Sequence, residues 1–384
     1  MKSSFVIGKV KGIDIEINLS WIVIFALLTY TLATNYLPSV FDGIETTTAW
    51  LISGLMAVLF FTSVLLHELS HSIVANGLGV EVKRITLFIF GGLAQMEKDV
   101  DQPVKELKIA IAGPAMSVFL SILFYGAGTL MDFLELSLVF REPAYYLSTV
   151  NLILAVFNLV PAFPLDGGRV LRAILWKATG DRKKATRITS GMGSFFGYLL
   201  IFNGIFLAFG GNVFNGLWML FIGWFITQAA QTGYQQVLMD DIFNKICVKE
   251  FMTKNVVSVE YHVNLADLVE EYFLRYKYSI FPVIRINDIM GIVSLNEIKK
   301  VDRTLWAETT VASVAYPLND NLVVSPSDCV SKAMDKAFKN NVGRVLVMEG
   351  GELLGIVSKT DILNYLRIQS QIGGMESDTR NTRN

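Results

Sequence analysis

His67, Glu68 and His71 stand together in the stretch VLLHELSHSIVANG. Residues four apart on a helix share one face, so both imidazoles project to the same side. Two such imidazoles can bind one Zn²⁺, with the Glu68 carboxylate free to act as general base on water. The chain has three histidines, and two of them fall in this spacing. They lie in an apolar segment, where ionisable groups are costly and mark function. The alternative is a histidine pair packed in a helix bundle. A catalytic zinc takes three protein ligands and leaves one position open. The third histidine, His262, and both cysteines, Cys247 and Cys329, lie in a distant polar part, so a carboxylate is expected. Asp166 in NLVPAFPLDGGRV is the best candidate. Pro161 and Pro164 break the helix before it, and Gly167 and Gly168 permit close approach. Its alternative role is an N-cap for the helix that starts near Gly167. Glu97, Asp99 and Asp132 are reserves. The Asn158 amide could hold a substrate backbone or a developing oxyanion. Taken alone, an interhelical hydrogen bond suits it better.

These residues need a membrane scaffold to hold them. The chain is 52% hydrophobic and 17% charged, against about 25% charged in ordinary soluble protein. The apolar excess fills roughly residues 19–230, and the rest has an ordinary soluble composition. A net charge of −1 gives no basic field for nucleic acid. With about 20 apolar residues per crossing, six spans are expected: 19–38, 48–78, 106–130, 146–166, 190–210 and 213–231. Loops on one side carry Lys and Arg throughout, including Lys9, Lys11, Lys83, Arg84, Arg182, Lys183 and Lys184, while the other side has Arg141 alone. By the positive-inside rule both termini are cytoplasmic. Phe5–Ile17 alternates apolar and polar, as a strand does, and no signal-peptide pattern opens the chain. His67 is buried roughly 16 Å from the span's end near Leu78 at about 1.5 Å per residue, so water must reach it from the cytoplasm.

RITLFIFGGLAQME (84–97) is apolar and β-branched yet too short to cross. Its Gly91 and Gly92 fit a re-entrant hairpin, tolerated at membrane depth only inside protein or beside a wet cavity. An amphipathic surface loop fits equally well. Gly193 and Gly197 form a small-xxx-small pattern that favours close helix packing over a mobile gate.

An internal repeat fills the polar part. MGIVSLNEI (Met290–Ile298) aligns with LGIVSKTDI (Leu354–Ile362), and FPVIRI with RVLVME upstream. Repeats of this kind mark duplicated supersecondary units.

HELSH in one span and NLVPAFPLDGG in a later one resemble the site-2 protease family of intramembrane zinc metalloproteases. The resemblance spans roughly 5–230 and includes the FGG loop and Ala112-Gly113-Pro114. It implies that His67, His71 and Asp166 bind one Zn²⁺, that Glu68 is the general base, and that Asn158, Gly91 and Gly92 lie beside the substrate. The duplicated unit resembles a cystathionine-β-synthase (CBS) pair, which implies an adenine nucleotide, ATP or AMP, near Ser294, Ser358 and Asp361. Glu297 stands where the second copy has Asp361, which puts the first site in doubt.

The expected architecture is a multi-pass α-helical membrane protein of about six transmembrane helices with a C-terminal α/β CBS-pair domain. The parts are a protease domain (1–232), a linker helix (233–249), CBS motifs (250–303 and 315–368) and a disordered tail (369–384). The expected activity is hydrolysis of membrane-protein substrates in the cell membrane, modulated by nucleotide, in a homo-oligomer joined through the CBS domains. A channel or transporter would spread charges through the bundle and repeat its spans. An inactive relative would not keep all four of His67, Glu68, His71 and Asp166.

Overall fold

The computed structural model describes residues 4–89, 91–96, 100–286, 288–340 and 342–365. Glu97, Asp99, Phe90 and the expected tail lie outside the described residues. The chain divides into two compact units, Met1–Val237 and Leu238–Asn384.

The first unit begins with two strands rather than one. β1 (Ser4–Val10) and β2 (Ile13–Asn18) pair antiparallel across Lys11 and Gly12, both at positive φ. That is the turn whose twist matches paired strands. Asn18 then caps α1 (Leu19–Thr31) by accepting from the Ser20 N–H at 3.0 Å. A π turn (Leu32–Tyr36) leads to the short α2 (Leu37–Val40). α3 (Thr46–Gly77) follows. At 32 residues it is about 48 Å long, well beyond a roughly 30 Å hydrocarbon core.

The RITLFIF segment forms one arm of a hairpin. β3 (Val82–Phe88) pairs antiparallel with β4 (Gly91–Met96) and parallel with β2, giving the sheet order β1-β2-β3-β4. β4 is therefore an edge strand. Ile85 on β3 is fully buried against Leu69 of α3 and Ile13 of β2, which fixes the sheet on the HELSH helix.

α4 (Pro103–Phe133) packs against α3, α5 (Leu138–Asn158) and α6 (Asp166–Thr179). Among the described residues five helical stretches are long and apolar enough to cross a membrane: Leu19–Val40, α3, α4, α7 (Arg182–Phe209) and α8 (Val213–Lys245). The sixth expected span, 146–166, is divided. α5 starts earlier, takes in Arg141 and Glu142, and stops at Asn158, while Leu159–Leu165 is non-helical around Pro161 and Pro164. Arg141 is neutralised by Asp132 of α4. α7 and α8 touch through glycines, as the small-residue pattern predicts. A Cβ at Gly204 would meet the Gly216 carbonyl at 2.7 Å, and one at Gly223 the Gly197 carbonyl at 2.5 Å. The connecting helix expected over 233–249 is not separate, because α8 runs unbroken to Lys245.

The second unit holds two similar halves. After α9 (Val248–Phe251), the first half comprises β5 (Val259–Glu260), α10 (Leu265–Asp267), β6 (Ile280–Arg285), β7 (Asp288–Ser294), α11 (Leu295–Ile298), α12 (Val311–Val314) and β8 (Tyr316–Pro317). The second comprises β9 (Val323–Val324), α13 (Val330–Lys339), β10 (Arg344–Glu349) and β11 (Glu352–Ser358). Each half has an antiparallel hairpin with a parallel strand beside it, and each hairpin bulges at the same repeat position, after Val283 and after Val347. The duplication read from the sequence is thus a duplication of structure.

Candidate metal centre

α3 carries His67 and His71 one turn apart on its buried face, at 3% and 4% exposure. Asp166 comes from another element, the first turn of α6, right after the proline-broken segment. Its Oδ2 lies 3.2 Å from His67 Nε2 and 3.1 Å from His71 Nε2, and the two Nε2 atoms are 3.2 Å apart. An ion with tetrahedral bonds of about 2.0–2.1 Å spaces its ligand atoms by about 3.3–3.4 Å. The three atoms make a nearly equilateral triangle of that size, so the residues fit one zinc ion. Among the described residues this is the group of His, Cys, Asp or Glu close enough to hold a metal.

The geometry also bears on the two roles open to Asp166. The residue before α6 has no side-chain cap, and the Asp166 carboxylate points at both imidazoles instead of back at the helix. It still gains from its place at a helix N-terminus, where partial positive charge favours a carboxylate.

The far side of each imidazole is held too. His71 Nδ1 lies 2.6 Å from the Ile109 carbonyl oxygen. A carbonyl only accepts, so Nδ1 carries the proton and a neutral ring leaves Nε2 with its lone pair. His67 Nδ1 lies 2.8 Å from Ser117 Oγ. Such partners fix ring orientation and tautomer at metal sites. Both come from α4, and a Cβ on Gly113 of that helix would collide with His71 Nε2 and lie 2.5 Å from His67 Nε2. The glycine of Ala112-Gly113-Pro114 is what lets α4 lie against the two imidazole Nε2 atoms. The sequence puts the tripeptide in the third span without assigning its glycine a contact. The available signal was a glycine inside an apolar helix, which calls for a packing reason.

Glu68, next to His67 on α3, is half-buried. A Cβ at Gly92 would collide with its side chain. The edge strand β4 therefore passes directly over Glu68, and Gly91 before it holds φ +125°, which favours glycine. Asn158 ends α5, half-buried, and among the described residues no hydrogen bond joins it to His67, His71 or Asp166. Of the reserve carboxylates, Asp132 pairs with Arg141 and accepts from Tyr145 at 2.5 Å at the far end of α4.

Two further groups that sequence reasoning passed over hold α6 in place. Arg172 donates Nε to Glu106 of α4 at 2.7 Å, with both residues buried, and its guanidinium lies over the Phe163 ring. The Phe163 backbone and ring are seated against Gly168, Gly193 and Gly233, each of which has no room for a Cβ. The loop that delivers Asp166 is thereby pinned from three helices.

In the second unit the nucleotide candidates serve as caps. Ser358 N–H and Oγ–H both donate to Asp361 Oδ2, at 3.0 and 2.6 Å, and Asp361 N–H donates back to Ser358 Oγ at 3.1 Å. Ser294 donates to Glu297 Oε2 in the matching place. The Ser358–Asp361 pair is a capping box, whereas Ser294 caps α11 by accepting from the Asn296 N–H at 3.2 Å. A cleft of about 660 Å³ opens at the first copy, the one left in doubt, lined by Ser279, Ser294, Glu297, Lys300, Lys339 and Asn340. At the second copy, Arg344 reaches across to Ser279 Oγ at 3.3 Å, and burial lowers its affinity for the proton against the pull of Asp361.

Residues 55–137 and 134–203 match the profile of peptidase family M50, and residues 248–303 and 311–368 match the CBS domain. The chain is 32% identical to Rip3 of Mycobacterium tuberculosis over 370 residues, covering 96% of this chain and 94% of that one. It is 32% identical to the zinc metalloprotease MJ0392 of Methanocaldococcus jannaschii over 368 residues, covering 96% and 97%. Among solved structures it resembles the site-2 protease from Methanocaldococcus jannaschii at 31% identity and a TM-score of 0.41, covering 60% of this chain and 94% of that one.

Proposed function

Since the chain belongs to peptidase family M50, the site-2 proteases, and carries two CBS domains, we propose that it is a zinc endopeptidase that cuts peptide bonds in or beside transmembrane segments of other membrane proteins. The observation that carries this reading is the convergence of His67, His71 and Asp166, at 3.1–3.2 Å, beside Glu68. His67, His71 and Asp166 would hold the zinc, which would supply Lewis acidity to a peptide carbonyl and to water. Glu68 takes the proton of the attacking water and returns it to the leaving amine. Ile109 and Ser117 keep the imidazoles turned toward the site. A helical substrate hides its carbonyls in its own hydrogen bonds, so it must be extended locally. The free edge of β4 offers it backbone partners, with Gly91 and Gly92 beside it and the Asn158 amide as a further hydrogen-bonding group.

A location in the cell membrane is supported by the apolar helices, and cytoplasmic termini by the one-sided Lys and Arg. α5 returns antiparallel to α4 and is the sixth crossing. The protease part is 1–232, and the CBS motifs are 250–303 and 315–368. The CBS pair takes an adenine nucleotide, which modulates cleavage, and joins chains into a homo-oligomer. The lysine-lined cleft at Ser294 supports the nucleotide. At Ser358 and Asp361 the capping box would have to share its groups with a ribose.

The test is purified full-length protein in detergent with a single-span membrane substrate. Wild type should cleave it, and Glu68→Gln should keep zinc while losing about 10²–10⁴-fold in rate. Equal cleavage by both would end the proteolytic reading.

A further inference from the structure

One turn beyond the metal ligands, α3, α4 and α5 bring together a buried polar layer: Ser63, Ser117, Ser121, Ser148 and Asn151, all under 9% exposed. Such groups are expensive in the interior of a membrane bundle unless paired. Their hydrogen bonds can be followed one by one. Ser63 donates to the Leu59 carbonyl at 3.0 Å and accepts from Asn151 Nδ2 at 3.3 Å. Asn151 gives its other Nδ2 proton to the Leu147 carbonyl at 2.8 Å, which fixes the orientation of the amide. Ser148 donates to the Ser121 carbonyl at 2.8 Å, so the 3.2 Å contact between the two hydroxyls is a donation by Ser121.

Two groups are left over. Among the described residues Asn151 Oδ1 is buried with no partner. Ser117 Oγ must accept from His67 Nδ1–H if His67 Nε2 is to face a metal, and its own O–H then lacks an acceptor. The helix register brings the two together. Contacts between Asp132 and Arg141, between Gly128 and Tyr145, and between Ser121 and Ser148 run antiparallel along α4 and α5. One further turn sets Asn151 level with Ser117. A free donor and a free acceptor thus lie at one level of the same buried layer.

We propose that a single buried water joins Ser117 O–H to Asn151 Oδ1, and that Asn151 is a positioning residue for the metal centre. The chain Asn151–water–Ser117–His67 keeps the Ser117 proton turned away from the ring. The Ser117 oxygen then stays an acceptor, His67 keeps its proton on Nδ1, and the Nε2 lone pair stays turned toward His71 and Asp166. Buried waters of this kind satisfy otherwise unpaired polar groups, and second partners of metal-bound histidines carry about 10–100-fold of metal affinity. The inference rests on the reading of His67, His71 and Asp166 as zinc ligands.

The experiment measures the zinc dissociation constant of the full chain in detergent by competition with a chelator. It is paired with the visible spectrum of the Co²⁺-substituted protein. Asn151→Leu should weaken zinc by about 10–100-fold and shift the Co²⁺ bands, and Ser117→Ala should do the same. The double variant should be no weaker than Ser117→Ala, because both remove one chain. Ser121→Ala, whose partners lie outside that chain, should bind zinc as wild type does. Should Asn151→Leu fail to fold, Ser117→Thr, which keeps the hydroxyl, must retain the affinity that Ser117→Ala loses. Unchanged zinc affinity in Asn151→Leu, additive losses in the double variant, or equal affinity in Ser117→Thr and Ser117→Ala would overturn the proposal. Wild-type protein that takes up no zinc would instead remove the metal reading beneath it.

Discussion

The two units treat the same kinds of residue in opposite ways. In the membrane unit the buried ionisable side chains find their partners on other helices. His67 meets Asp166 and Ser117, His71 meets Asp166 and Ile109, and Arg172 meets Glu106. In the CBS unit, Ser294 with Glu297 and Ser358 with Asp361 close on themselves within one turn. The difference is one of solvent. Without water, a motif can be satisfied only by long-range convergence, so the motif specifies a site. With water, a serine and a carboxylate three residues apart are already useful as a helix cap, and the motif alone does not require a ligand.

The comparison can be broken most forcefully at Gly113. Gly113→Ala sets a methyl between the imidazole nitrogens and should remove zinc and reduce cleavage by at least about 10²-fold, as misplacement near the chemistry does. Gly126→Ala on the same helix, where a Cβ meets open space, should leave zinc and rate unchanged. Removing one partner of the buried ion pair comes next. Arg172→Leu strands Glu106 and should destabilise the membrane unit by about 3–5 kcal/mol, seen as a lowered unfolding midpoint. Gly92→Ala should spare zinc and lower kcat about 10-fold by displacing Glu68, whose proton transfer contributes about 10²–10⁴-fold. The smallest effect belongs to the CBS unit. Ser358→Ala removes a cap and should cost about 1 kcal/mol of CBS stability with zinc content unchanged. A zinc loss in Ser358→Ala, or none in Gly113→Ala, would undo the contrast between the units.

How much could be read from the sequence follows the same division. HELSH and Asp166 were legible because an ionisable residue in an apolar span demands a reason. Whether Asp166 capped a helix or reached a metal was not, since both roles put Asp at a helix start. The converging distances favour the second. Ser117 and Asn151 were silent because a serine or asparagine in a span is ordinarily satisfied by its own helix, and their layer exists only once three helices meet. The hairpin turn at Lys11 and Gly12 was missed because the alternation continues across it. The cleft at Ser294 could not be placed from the first repeat, because Lys339 and Asn340 of the second repeat supply part of its wall.

The claim beneath all of this is that Asp166, delivered by a broken helix, completes a metal site begun by His67 and His71. Metal analysis of detergent-purified protein addresses it without any substrate. Wild type and Glu68→Gln should each carry about one zinc per chain, and Asp166→Asn should carry close to none after the same dialysis. Full zinc occupancy in Asp166→Asn would contradict the account.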